Sequence, residues 1–118
     1  NQLADYYNKK LEGISEITIP TIRDYNKHTF MLYVILFKNN GLREKIRIGL
    51  ENKGVETRIN FPPLHLQPIY KKLYNFSSGM LPICEDISER VLGLPIFLKM
   101  TEEEQDYITD IIKKLIKD

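Results

Sequence analysis

The stretch Gly54-Val55-Glu56-Thr57-Arg58-Ile59-Asn60-Phe61-Pro62-Pro63-Leu64-His65-Leu66-Gln67-Pro68-Ile69-Tyr70 divides into three parts. Val55, Thr57 and Ile59 alternate with Glu56, Arg58 and Asn60, the period of a half-buried strand with one polar face. Phe61-Pro62-Pro63 cannot prolong a ladder, because neither proline has an N–H to donate. Pro68 suits the first residue of a helical turn carrying Ile69 and Tyr70. His65 is therefore predicted to stand in a stiffened loop between a strand and a short helix.

Upstream, Leu42, Ile46 and Leu50 recur every four residues and predict a helix that stops at Lys53-Gly54. Before it, Thr29 to Phe37 is rich in aromatic and β-branched residues and predicts a strand, closed by Lys38-Asn39-Asn40-Gly41. Both faces of that strand are apolar, so it is expected centrally in a sheet with something packed on each side. Ile17-Thr18-Ile19 predicts a short strand ended by Pro20, and residues 1 to 12 a helix stopped by Gly13. Leu3, Tyr7, Leu11 and Ile14 mark its buried face, and no convincing cap opens it. The chain is thus expected to begin part-way along a helix, as one domain of a longer polypeptide.

Downstream, Asn75 to Gly79 reads as a loop. Pro82 opens a helix expected to run through Val91, with Gly93 ending it, and Leu94 to Leu98 reads as a last strand. Thr101 and Glu104 form a capping box, followed by the stripe Tyr107, Ile108, Ile111, Ile112, Leu115 and Ile116. The predicted architecture is α+β: a small sheet of three to four mainly antiparallel strands with helices packed on it. One helical crossover is allowed; a doubly wound fold is not.

At 118 residues the chain has room for one domain. Seventeen basic and sixteen acidic residues leave a net charge of +1, which argues against a nucleic-acid binder and a polybasic membrane anchor. The longest apolar run, Phe30 to Phe37, has eight residues, where a membrane span needs about 20. The single cysteine, Cys84, excludes an internal disulfide and suits a reducing cytoplasm.

Few residues could carry chemistry. A stiff loop suits a side chain held for a ligand, and His65 reads equally as such a residue or as part of a surface loop whose prolines stop an edge strand. Arg58 and Asn60 share a polar strand face that would line a pocket for an anionic or hydroxylated ligand; a solvated face is the simpler reading. His28 and His65 lie far apart and no carboxylate joins them at metal-ligand spacing. Cys84, inside a helix, reads as a small buried hydrophobe rather than a nucleophile paired with His65. A hydrolase using His65 as general base would need a nucleophile that the sequence does not offer.

Several segments, in order, resemble the DegT/DnrJ/EryC1/StrS family of pyridoxal-phosphate-dependent sugar aminotransferases. Gly54-Val55-Glu56-Thr57 followed by Pro63-Leu64-His65 and Tyr70 is similar to a strand and Pro-Leu-His loop of that family. Ala4 to Leu11, His28 to Ile35, Leu81-Pro82-Ile83-Cys84-Glu85, Leu94-Pro95 and the helix from Thr101 match further pieces in sequence order. The resemblance implies the C-terminal small domain of a fold-type I enzyme, residues 1–118, with 1–12 as the end of the inter-domain helix.

It also implies a reaction in which glutamate gives its amino group to a nucleotide-linked keto-sugar, in an enzyme that is a homodimer when full length. Pyridoxal phosphate would be held mainly by an N-terminal domain outside this chain. No Ser-x-x-Lys segment is present to form the Schiff base, so the 118 residues alone are expected to bind no cofactor and to be inactive. The substrate side of the cleft would be lined by His65, Asn60, Phe61 and Arg58. Asn60 stands where the family often has histidine, and Phe61 where many members have tyrosine. The alternative is a stand-alone module of the same fold that binds a sugar or a protein without enzyme activity.

Overall fold

In the computed structural model, which describes residues 1–118, the chain runs from α1 (Gln2–Leu11) to β1 (Ile17–Thr18), β2 (Tyr33–Phe37) and α2 (Asn40–Glu51). A 3-10 turn (Leu64–Leu66) and α3 (Pro68–Tyr74) follow, then α4 (Pro82–Arg90), β3 (Val91–Leu94) and α5 (Glu102–Lys117). The three strands form one antiparallel sheet in the order β1-β2-β3, with Ile17 opposite Phe37 and Ile35 opposite Leu92. The α+β class expected from sequence is observed, and the sheet contains no parallel crossover.

β2 is central, as expected, but shorter than predicted. Phe30 adopts a left-handed backbone (φ 48°), and its N–H donates to His28 Nδ1 at 2.9 Å. A residue so turned cannot pleat with the next, so the strand starts only at Tyr33. Burial alternates along it: Tyr33, Ile35 and Phe37 are sealed, while Val34 and Leu36 are half-buried. One face of the sheet is therefore closed, rather than two.

The sealed face meets α1, α2 and α5, which contribute Tyr7, Leu11, Ile46, Leu50, Ile108 and Ile112 to one core. Tyr7 stacks on Tyr33 with ring centroids 4.8 Å apart. Their hydroxyls donate outward from that stack, Tyr7 to Pro95 O at 2.9 Å and Tyr33 to Asn8 Oδ1 at 2.6 Å. Burial pushes both phenols above the usual tyrosine range, so both stay protonated donors at neutral pH. Lys10 beside Asp106, at 2.6 Å, ties α1 to α5 and holds that carboxyl below its ordinary range.

α4 is held by two arginines that sequence periodicity does not single out. Arg43, buried on α2, donates from Nε to Glu89 O at 2.8 Å, satisfying one of the last carbonyls of α4. Arg90 donates to Phe37 O at the end of β2, at 3.1 Å. Helix α4 stops one residue earlier than expected, and Val91–Leu94 pairs with β2 instead of Leu94–Leu98. Gly93, predicted to end the helix, lies inside β3. Cys84 is exposed, not buried, because the face of α4 that carries it turns away from the core.

The capping box is present: Thr101 Oγ1 accepts from Glu104 N at 3.2 Å and Glu104 Oε2 accepts from Thr101 N at 2.9 Å. Removing its hydroxyl in Thr101→Ala is expected to lower unfolding free energy by about 1 kcal/mol. Ile112→Ala, which empties a fully buried position, is expected to cost about 2–5 kcal/mol. Urea unfolding followed by circular dichroism checks both, and the order of the two losses tests whether core packing outweighs capping.

Candidate functional site

The predicted strand from Val55 to Ile59 is reduced to a single antiparallel bridge, Arg58 with Gly93. Arg58 N donates to Gly93 O at 3.1 Å, and Gly93 N donates to Arg58 O at 2.7 Å. The segment then leaves the sheet as Asn60 crosses over Gly93. A Cβ on Gly93 would lie 2.6 Å from Asn60 Nδ2 and 3.2 Å from Arg58 O, so only glycine admits this approach. Beyond Asn60 the prolines at 62 and 63 have no N–H for a ladder.

This approach brings three of the four predicted site residues together. A hollow of about 520 Å3 is lined by Arg58, Asn60 and Phe61 together with Leu32, Arg47 and Thr57. Phe61 projects with 70% of its surface exposed, and the Arg58 side chain is 76% exposed. On the other side of Arg58 and Asn60 lies a larger cavity of about 710 Å3. Its floor is apolar, with Val55, Leu94, Ile96, Met100 and Ile108, and its lip carries Glu56, Glu103 and Glu104. Arg58 pairs with Glu56 at 3.4 Å, leaving the larger cavity acidic in balance.

Nothing in the sequence singles out Arg47. It lies on the polar face of α2, where its spacing looks like ordinary helix-surface pairing with Glu44 and Glu51, at 3.0 and 3.1 Å. Only the return of the chain at Thr57–Phe61 makes it a wall of the smaller hollow. Two guanidinium groups and an amide there suit phosphate or hydroxyl groups, which accept from rigid planar donors.

His65 is placed elsewhere. It lines neither cavity, is 6% exposed, and its Nε2 lies 2.8 Å from Glu85 Oε1. Glu85 also accepts from Gly79 N at 2.9 Å, Ser78 Oγ at 3.0 Å and Leu81 N at 3.4 Å. The hydrogen bond from His65, followed by that from Gly79, lowers its pKa from 4.5 to about 2. Glu85 is then ionised at neutral pH and can only accept, so Nε2 carries the His65 proton. Nδ1 has no hydrogen-bond partner within the chain. The sequence carried Glu85 only as part of a helix-opening pattern; nothing in its spacing from His65, twenty residues away, signals the pair.

No group of three or more His, Cys, Asp or Glu side chains is placed to hold a metal ion. Neither cavity offers pyridoxal phosphate a covalent anchor. No lysine lines either of them for a Schiff base, and the carboxylate lip of the larger would repel a phosphate.

A model of the DegT/DnrJ/EryC1/StrS aminotransferase family matches residues 1–113. GDP-perosamine synthase of Escherichia coli O157:H7 is 30% identical over 117 residues, covering 99% of this chain and 30% of that protein. The crystal structure of a DegT DnrJ EryC1 StrS aminotransferase from Brucella abortus superposes with a TM-score of 0.81 at 30% identity, over 96% of this chain and 29% of that one. The structure of S. venezuelae DesV in complex with ketimine intermediate has the same fold, with a TM-score of 0.89 at 24% identity over 99% of this chain and 31% of that one. The chain spans about a third of the length of the curated relatives it matches.

Two outcomes test this geometry. Gly93→Ala forces Asn60 off β3 and is expected to cost about 1–3 kcal/mol, with loss of amide protection at Arg58 read by hydrogen exchange. Because the folded pKa of Glu85 is depressed, the unfolded chain takes up the proton first as pH falls. The stabilisation from Glu85 is therefore complete above about pH 4.5 and is lost progressively down to about 2, a window that urea unfolding at a series of acid pH values should reproduce, and that Glu85→Gln should remove.

Proposed function

The chain belongs to the DegT/DnrJ/EryC1/StrS aminotransferase family, and from that premise we propose that it is the small C-terminal domain of a sugar aminotransferase. In this reading glutamate gives its amino group to a nucleotide-linked keto-sugar, and residues 1–12 are the end of the helix that joins the two domains. Pyridoxal phosphate, which supplies the electron sink when bound, is held by residues outside these 118. The working enzyme is a cytoplasmic homodimer.

The observation that carries this reading is the convergence of Arg58, Asn60 and Phe61 on one hollow, beside Arg47. Arg58 donates to acidic oxygens of the nucleotide-sugar. Asn60 offers an amide, whose Nδ2 lies sealed over Gly93 with no hydrogen-bond partner in the chain. Phe61 supplies an exposed apolar face to a sugar ring. His65 lines neither cavity; it fixes the end of the loop that carries Asn60 and Phe61, through its hydrogen bond to Glu85. These groups bind and orient; none of them moves a proton in the chemical step, and the domain alone is inactive.

The complete polypeptide, expressed from the whole gene, tests the proposal. Incubated with pyridoxal phosphate, glutamate and a nucleotide-linked keto-sugar, it is expected to form an amino-sugar and 2-oxoglutarate. Asn60→Ala and Phe61→Ala are each expected to raise KM for the sugar about tenfold with a smaller change in kcat. A complete polypeptide with no Schiff-base lysine, or with no transfer to any such sugar, sinks the reading.

A further inference from the structure

From Glu56 to Arg90, thirty-five residues, His65 is the only buried side chain. α3 buries none of its residues, although Ile69, Leu73 and Tyr74 are apolar and exposed. A helix of seven residues has too few hydrogen bonds to persist in water by itself. Apolar packing therefore does not hold this arm in place.

What crosses it is one carboxylate. Glu85, in the first turn of α4, gathers His65 Nε2, Ser78 Oγ, Gly79 N and Leu81 N, from the 3-10 turn and from the loop that closes on α4. Gly79 turns the chain to present its N–H with φ +88°, a backbone open to glycine. Its N–H meets both oxygens, at 2.9 and 3.0 Å, so the carboxylate cannot rotate without losing a partner. Glu85 in turn sits on a helix held at its far end by Arg43.

We propose that Glu85 is a positioning residue: by holding His65 through Nε2 it sets both the tautomer of that ring and the orientation of the Asn60–His65 loop toward the ligand. As regards the ligand, this rests on the proposed function. The chain of restraint runs from α4 through Glu85 to His65, and from His65 through two prolines that transmit backbone direction to Phe61 and Asn60. Glu85 itself touches no ligand. It acts through His65, as a carboxylate that fixes an imidazole and with it the direction of the loop the imidazole belongs to.

The test begins with the 118-residue chain without ligand. 15N chemical shifts of the His65 ring are expected to show one tautomer, with the proton on Nε2. In Glu85→Ala the ring should average between tautomers, and amides of Leu66, Gly79 and Leu81 should exchange at least about tenfold faster, while those of Ile35 and Ile112 stay protected. Glu85→Gln retains an acceptor for Nε2 and should rescue the tautomer, but not the full protection at Gly79. Wild-type ring shifts and exchange in both variants overturn the proposal, and so does a parallel loss of protection at Ile35 and Ile112 in both.

In the complete enzyme, Glu85→Ala should raise KM for the nucleotide-sugar about tenfold while leaving the cofactor absorbance unchanged. An unchanged KM beside an altered tautomer removes the role toward the ligand. A complete polypeptide with no transaminase activity removes the function reading instead, and the ring shifts still decide whether Glu85 orients His65.

Discussion

One hydrogen bond, from His65 Nε2 to Glu85, is what gives the arm beyond Arg58 a definite place on the domain. The rest of the molecule has a core; between the Arg58 bridge and α4, which Arg43 and Arg90 hold, the arm has this pair. Its strength comes from an ionised acceptor that also collects donors from Ser78, Gly79 and Leu81. Charge-assisted bonds of this kind are directional in a way that apolar contact is not. A loop held by them keeps its orientation while leaving its apolar side chains exposed for other surfaces.

Gly93 sets the second constraint, and it works by absence. Without a side chain there, Arg58 can pair with β3 and Asn60 can lie across it. The same approach creates the two cavities, because Arg58 and Asn60 become the partition between them. The smaller hollow takes its cationic wall from α2 and from this segment; the larger takes its acidic lip from α5 and from Glu56. Two chemically distinct surfaces thus arise from one close backbone contact.

The helices were legible because their signals are local. The four-residue spacing of Leu42, Ile46 and Leu50, and the Thr101–Glu104 box, carry their own geometry, and α2 and α5 stand where those signals put them. Strands were less legible. Thr29–Leu32 reads as the start of a strand, yet Phe30 turns away on a bond to His28. Leu94–Leu98 reads as a strand too, yet Val91–Leu94 is what β2 pairs with. A strand is defined by its partner, and no window of sequence contains the partner. The site divides in the same manner: Arg58, Asn60 and Phe61 shared a segment and were found together, whereas Arg47 and Glu85 joined from elsewhere in the chain.

By itself the sequence determined the α+β class, the main helices with the capping box of α5, the stiff Pro62-Pro63 loop and the family to which its motifs point. Only the tertiary structure decided that His65 turns inward to Glu85, that Gly93 is a strand residue crossed by Asn60, and that Arg47 faces the same hollow as Arg58. The reason is physical. Periodicity, capping and proline stiffness act within a few residues, while pairing and burial depend on which distant backbone arrives alongside.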